Sequence, residues 1–296
     1  MSRLKQAIFE HATQVLGFED CRFTSPFLTQ ELDEYRDWVA QDKMGDMGYL
    51  VRHLPFKEDP NLLLPGVKTA IVVIKNYKNT PESFLTGDRK VSRYAVGRDY
   101  HGVIMDALIG LEAFILSQEP RAQCYMGIDS RPIAERSLAL KSGIGFRGKN
   151  TMVIKPKLGS YFFIGVLLTT VAFDSDLPFK GTCGTCRRCI EACPTGALSE
   201  EGQMDAQACI AYRTIERKTP PTPEERTQFQ GWVFGCDICQ EVCPFNHPNT
   251  PLSNWEAWLP SAGVGFQLDP ALIPDQIPKD TVLYRSRKRL LCNSLE

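Results

Sequence analysis

Cys183, Cys186, Cys189 and Cys193, followed at once by Pro194, read C-x2-C-x2-C-x3-C-P. This is the thiolate spacing that holds [4Fe–4S] cubanes. A second run, Cys236, Cys239 and Cys243 with Pro244 behind it, repeats the pattern without its first cysteine. Cys209 stands upstream, placed to supply that thiolate from a separate helix. Eight thiolates suffice for two clusters. Cysteines three positions apart come from one tight loop that wraps three corners of a cube. The fourth sits past a turn and faces the other cluster. The spacing therefore assigns Cys183, Cys186, Cys189 and Cys243 to cluster one, and Cys209, Cys236, Cys239 and Cys193 to cluster two. Pro194 and Pro244 end the two loops, because proline cannot continue a helix or donate to a ladder.

Zinc sites pair C-x2-C units across longer gaps without the C-P ending, and disulfides need an oxidising compartment. Nothing in the N-terminal Met1-Ser-Arg-Leu-Lys-Gln stretch leads into an apolar signal core. The longest apolar stretch, residues 161–173, is too short to span a bilayer. These features lead to the expectation of a cytoplasmic, non-membrane protein with reduced thiols. Its 296 residues, 43% hydrophobic, support one large or two modest cores. A net charge of −1 leaves any nucleic-acid contact to a local basic patch.

Apolar periodicity predicts helices over 3–16 and 29–40, the first with His11 at the surface. Met44 to Tyr49 reads as a plain connection. The β-branched run Thr69–Lys75 is a buried strand, residues 76–98 a loop, and Asp99 the cap of a helix over 100–117. A short strand at 123–126 precedes a helix from about Pro132 to Gly143. Thr151–Ile154 and Tyr161–Thr170 are expected to pair as a hairpin. Such alternation predicts an α/β domain with a mixed sheet over 1–175. A double-cluster domain over 176–250 follows, including a helix over 205–217, and then a proline-punctuated segment over 251–296. Cys21, Cys124 and Cys292 stand outside the cluster pattern as free thiols.

The combination of Gly97-Arg-Asp-Tyr-His101, Ile128-Asp129-Ser130, Glu135-Arg136, Lys141 to Asn150, Gly159-Ser160-Tyr161-Phe162 and the paired cysteine runs resembles the epoxyqueuosine reductase family, over nearly the whole chain. The resemblance implies reduction of epoxyqueuosine to queuosine at the tRNA wobble position. It implies a cobalamin in an N-terminal domain similar to nitroreductase-like and cobalamin-processing folds, fed by a bacterial ferredoxin-like double [4Fe–4S] domain. Reductive dehalogenases are relatives. Members commonly continue into a C-terminal helical-repeat module, whereas this sequence ends at Glu296.

No D-x-H-x-x-G run is present, so the cobalamin is expected base-off, without a histidine on its lower face. Reducing the epoxide calls for an acid of raised pKa beside it. Asp129, at a strand's carboxyl end, matches the family's proton donor; the bland alternative is a helix cap. His101 and Tyr100 are further substrate-side candidates. Lys57, Ser92, Arg93, Tyr94, Arg136, Lys149 and Asn150, with Asp129, are candidate cobalamin contacts. The tRNA surface is expected to use Arg213, Arg217, Lys218, Arg285, Arg287, Lys288 and Arg289. A monomer is expected, reduced by a flavodoxin, a ferredoxin or a similar donor. Competing readings are a cobalamin-dependent reductase of a small molecule, such as an organohalide, and a ferredoxin-like carrier or corrinoid activator. The size of the N-terminal domain argues against a mere carrier.

Overall fold

The computed structural model describes residues 2–29, 32–82, 84–200, 202–269 and 276–284. In chain order its main elements are α1 (Arg3–Glu10), β1 (Asp20–Thr24), α2 (Asp33–Ala40), α3 (Tyr49–Glu58), β2 (Thr69–Asn76), β3 (Lys90–Val91), α4 (Tyr100–Gln118), β4 (Cys124–Gly127) and α5 (Glu135–Lys141). Then follow β5 (Phe146–Arg147), β6 (Val153–Ile154), β7 (Phe162–Thr169), α6 (Arg188–Ala192), α7 (Ile210–Ile215), α8 (Pro223–Thr227), β8 (Trp232–Phe234) and α9 (Ile238–Glu241).

The principal sheet has the order β1-β2-β7-β4. Every residue of β2 is buried, and the period of two explains why a continuous apolar run suits it. Ile71 and Val73 face one core, with Ile8 of α1 and Ile104, Leu108, Leu111 and Ile115 of α4. Ala70, Val72 and Ile74 face the other, with Leu138 and Ala139 of α5. Helices thus cover both sides, as an α/β chain requires. Helix α4 seats tightly on β7 at Gly165, where a Cβ would press against Ile104 and Leu108. Burying such side chains stabilises the fold by about 1.5–3 kcal/mol each.

Several expectations are corrected. The α/β class stands, but each pairing in the principal sheet is antiparallel; the parallel pair is β3 with β8 in a separate small sheet. Residues 153–154 do not form a hairpin with β7. They pair with Phe146–Arg147, while β7 is taken by β2 and β4. Asn246 holds the Ser160 amide at 2.7 Å, and its side chain fills the space a Cβ on Gly159 would need. The turn before β7 is therefore tied to the cluster segment. The first helix ends in a π-helical turn, His11–Val15, where His11 stacks on Phe114 at 4.1 Å rather than standing free. Residues 76–98 contain β3, and a helix, α3, follows the 44–48 connection. The helix expected over 205–217 is broken at Cys209, whose backbone is extended between a 3-10 turn and α7.

Buried cations lock the segments together. Lys75 Nζ meets Gly17 O, Glu19 and Asn254 within 3.0 Å. Lys78 Nζ binds the carbonyls of His247 and Pro248, each at 2.9 Å. Val91 donates its amide to Phe266. Helix α4 is the one described helix long and apolar enough to cross a membrane; its apolar face is the one packed on the sheet.

Candidate active site

Asp99 caps α4 as its sequence predicts. Its carboxylate accepts the His101 amide at 3.0 Å and holds His101 Nδ1 at 2.6 Å. The first turn of α4 therefore presents Tyr100 and His101 in fixed orientations, Tyr100 stacked on Phe163 of β7 at 4.2 Å. Both face the end of β4, where Asp129 follows with φ of 52°, a conformation unusual for a non-glycine residue. Tyr100 donates to Asp129 Oδ2 at 2.7 Å, and His101 Nε2 lies 3.3 Å from the same oxygen. The helix-cap alternative does not hold. Helix α5 begins at Glu135, and its N-cap is Ala134, whose side chain accepts no hydrogen bond from the first turn.

These groups line a cavity of about 1160 Å³ between the sheet and the cluster segment. Ser92, Tyr94, Asp129, Arg136 and Asn150 also line it, so five of the proposed cobalamin contacts meet there. Three do not line it. Arg93 is wholly buried, with Nη2 on Glu82 O at 3.0 Å and 3.4 Å from Glu241. Lys57 lies over the Tyr35 ring, 4.3 Å from its centre. Lys149 presents its amide to Cys183 Sγ at 3.4 Å. Met47, Tyr49 and His53 were not anticipated; they line the cavity from α3 and the connection before it.

The titration pattern differs from the expected raised acid. Asp129 is 65% open to the cavity while protein surrounds it at longer range. Burial would raise its pKa, but His101 and Tyr100 outweigh burial and hold it below the usual carboxylate value. Burial would lower His101, but Asp129 and Asp99 raise it instead. The proton of this pair rests on the imidazole. The neutral acid is Glu135. Burial, reinforced by the Asp129 charge, pushes it up to about 8, and its Oε1 has no hydrogen-bond partner.

Cys193, Cys209, Cys236 and Cys239 line the cavity; Cys183, Cys186, Cys189 and Cys243 do not. Burial pushes the Cys243 thiol up to about 11, and the nearby Cys183 and Cys189 sulfurs act the same way. Burial likewise raises Cys236, beside Cys209 and Cys193. Each set draws one cysteine from the other's loop. Among the described residues no His, Cys, Asp or Glu side chains converge as around a single metal ion; the corners of a cube separate ligands more widely. Cys21 is buried and Cys124 half-buried, both free thiols. Among the expected tRNA contacts, Arg217 pairs with Glu225 through both terminal nitrogens at 2.8 and 2.7 Å. Arg213 approaches the same carboxylate at 3.5 Å, and the Lys218 amide binds Asp46. Arg285, Arg287, Lys288, Arg289 and Cys292 lie outside the described residues.

Known proteins resemble this chain in sequence and in fold. A profile described as epoxyqueuosine reductase QueG matches residues 57–130, and one described as a 4Fe-4S double cluster binding domain matches 182–246. The epoxyqueuosine reductase of Cyclobacterium marinum is 35% identical over 260 residues, 86% of this chain and 83% of that protein. The chain belongs to the epoxyqueuosine reductase family. Within the family, a structure with an epoxyqueuosine-modified tRNA-Tyr stem loop matches at TM-score 0.86 and 28% identity, over 99% of this chain and 80% of that one. A Bacillus subtilis epoxyqueuosine reductase, its catalytic aspartate loop swung out of the active site, matches at TM-score 0.84 and 28% identity, with the same coverage.

Proposed function

We propose that this chain reduces epoxyqueuosine at the tRNA wobble position to queuosine, with a base-off cobalamin in the cavity and two [4Fe–4S] clusters supplying electrons. The observation that carries this reading is the placement of Asp129, with Tyr100 and His101, in the same cavity as four of the eight cluster-type cysteines. The cavity suits a large amide-bearing macrocycle. Its volume exceeds the roughly 300–1,000 Å³ of most small-molecule pockets, and the buried Ser92 Oγ in its wall lacks a partner. When bound, the corrinoid supplies the reduced metal centre for the two-electron chemistry.

The chain's own residues supply protons and position. Conversion of an epoxide to an alkene consumes two electrons and two protons and releases the oxygen as water. His101, charged and fixed by Asp99, passes one proton through Asp129 to the departing oxygen; Glu135 holds the second. Tyr100, whose pKa burial and the Asp129 charge raise well above normal, stays protonated and steadies the carboxylate. Cys193, Cys209, Cys236 and Cys239 hold one cluster at the cavity wall, and Cys183, Cys186, Cys189 and Cys243 hold the other. The chain acts as a monomer on tRNA, reduced by a flavodoxin- or ferredoxin-type donor.

Nucleoside mass spectrometry of tRNA from a deletion strain tests the reading. Expression of this chain should convert accumulated epoxyqueuosine to queuosine; persistence of the epoxide would refute it. EPR of the cobalamin-loaded protein should lack nitrogen splitting from an axial imidazole. His53→Ala, which removes the remaining imidazole of the cavity wall, should leave that spectrum unchanged.

A further inference from the structure

The cysteines that do not line the cavity lie beside a surface with a composition of its own. Phe179, 43% exposed, stacks near Phe146 at 6.4 Å, and Phe146 meets Phe245 edge-on at 5.3 Å. Phe245 follows Cys243 by two residues, so this aromatic chain leads from the surface to the outer cysteine set. Leu177, 86% exposed, stands beside it. Lys180 precedes Cys183 by three residues and Arg188 directly precedes Cys189; both are exposed, and neither makes an ion pair among the described residues. The nearby acids are already engaged, since Glu191 and Glu200 both pair with Arg187.

We propose that Leu177, Phe179, Lys180 and Arg188 form the docking surface for a small acidic one-electron carrier protein that reduces the outer cluster. The inference rests on reading the eight cysteines as cluster ligands. An apolar centre with a charged rim is the anatomy of a protein interface. A phosphate backbone would use the cations and leave Leu177 and Phe179 without a partner. The modified base must reach the cavity, and none of these four residues lines it. The transfer oxidises the carrier by one electron and reduces the cluster by one, with no proton moved.

The test uses anaerobically purified holoprotein and a flavodoxin as probe. Lys180→Glu/Arg188→Glu should weaken flavodoxin binding at least about tenfold at low ionic strength and slow cluster reduction by photoreduced flavodoxin, as rim charges govern encounter. Wild-type affinity should fall with added salt while the variant's barely changes. Reduction by dithionite, iron content and affinity for a tRNA stem loop should match wild type. Unchanged flavodoxin binding would overturn the proposal, and so would a loss confined to the stem loop, which would mark a nucleic-acid patch. Wild-type protein purified without iron would instead overturn the underlying cluster reading.

Discussion

His101 Nε2 stands 3.3 Å from Asp129 Oδ2 while Asp99 holds the opposite nitrogen of the ring at 2.6 Å. Two carboxylates thus flank one imidazole, and a protonated ring can donate to both. The arrangement stores a proton one contact away from the carboxylate that faces the cavity. It also explains how an aspartate with a lowered pKa serves acid chemistry, because its proton is held next door and is replaced as it is spent.

The stored proton has a pH signature. His101 is charged below its folded pKa, which lies above 6.5, and neutral above it. The single-turnover rate should be level on the acid side and fall as pH rises through that value. His101→Gln should lose this limb and turn over about a hundredfold more slowly, within the range of one general-acid contribution. The same limb persisting in the variant would take His101 out of the proton path.

Glu135 has a separate effect on stability. It keeps its proton up to about 8 in the folded protein, against 4.5 for an ordinary glutamate. Between those values the folded state binds more protons than the unfolded one, so this contribution to stability falls as pH rises across the window and levels off above it. Glu135→Gln is uncharged throughout and lacks the loss. Its Tm relative to wild type should rise as pH goes from about 4.5 to about 8. Parallel Tm curves would mean that Glu135 is ionised in the folded protein.

Cys193 belongs by sequence to the first run and by position to the cavity wall. Cys193→Ala should damage the cluster held by Cys209, Cys236 and Cys239 and leave an EPR signal from the other. Loss of the cluster held by Cys183, Cys186 and Cys189 would reverse the assignment.

The double-cluster domain was legible because a cubane imposes short, repeated spacings, and β2 and α4 because their patterns are long. Helix α3 was not, since Pro55 lies inside it, where a sequence reading expects a break, and no clean apolar stripe marks it. Nor were β3 and β8, short strands whose pairing depends on partners far along the chain. Asp129 is legible through its match to the family's proton donor, since its place after a strand suits a helix cap equally well, but its lowered pKa is not. That lowering depends on Tyr100 and His101, more than twenty-five residues upstream, which only the fold brings into contact. Glu135 reads in the sequence only as the neighbour of Arg136, because its burial, which outweighs the opposing Lys57 charge, is a three-dimensional fact.

The most direct test of proton delivery by Asp129 is single-turnover reduction of epoxyqueuosine by Asp129→Asn at saturating tRNA, with cobalamin content and tRNA affinity measured on the same preparation. The amide keeps the shape and the Tyr100 contact but cannot carry the proton. The expected result is a rate at least about a hundredfold lower with both kinds of binding intact; queuosine formed near the wild-type rate would contradict proton delivery through Asp129.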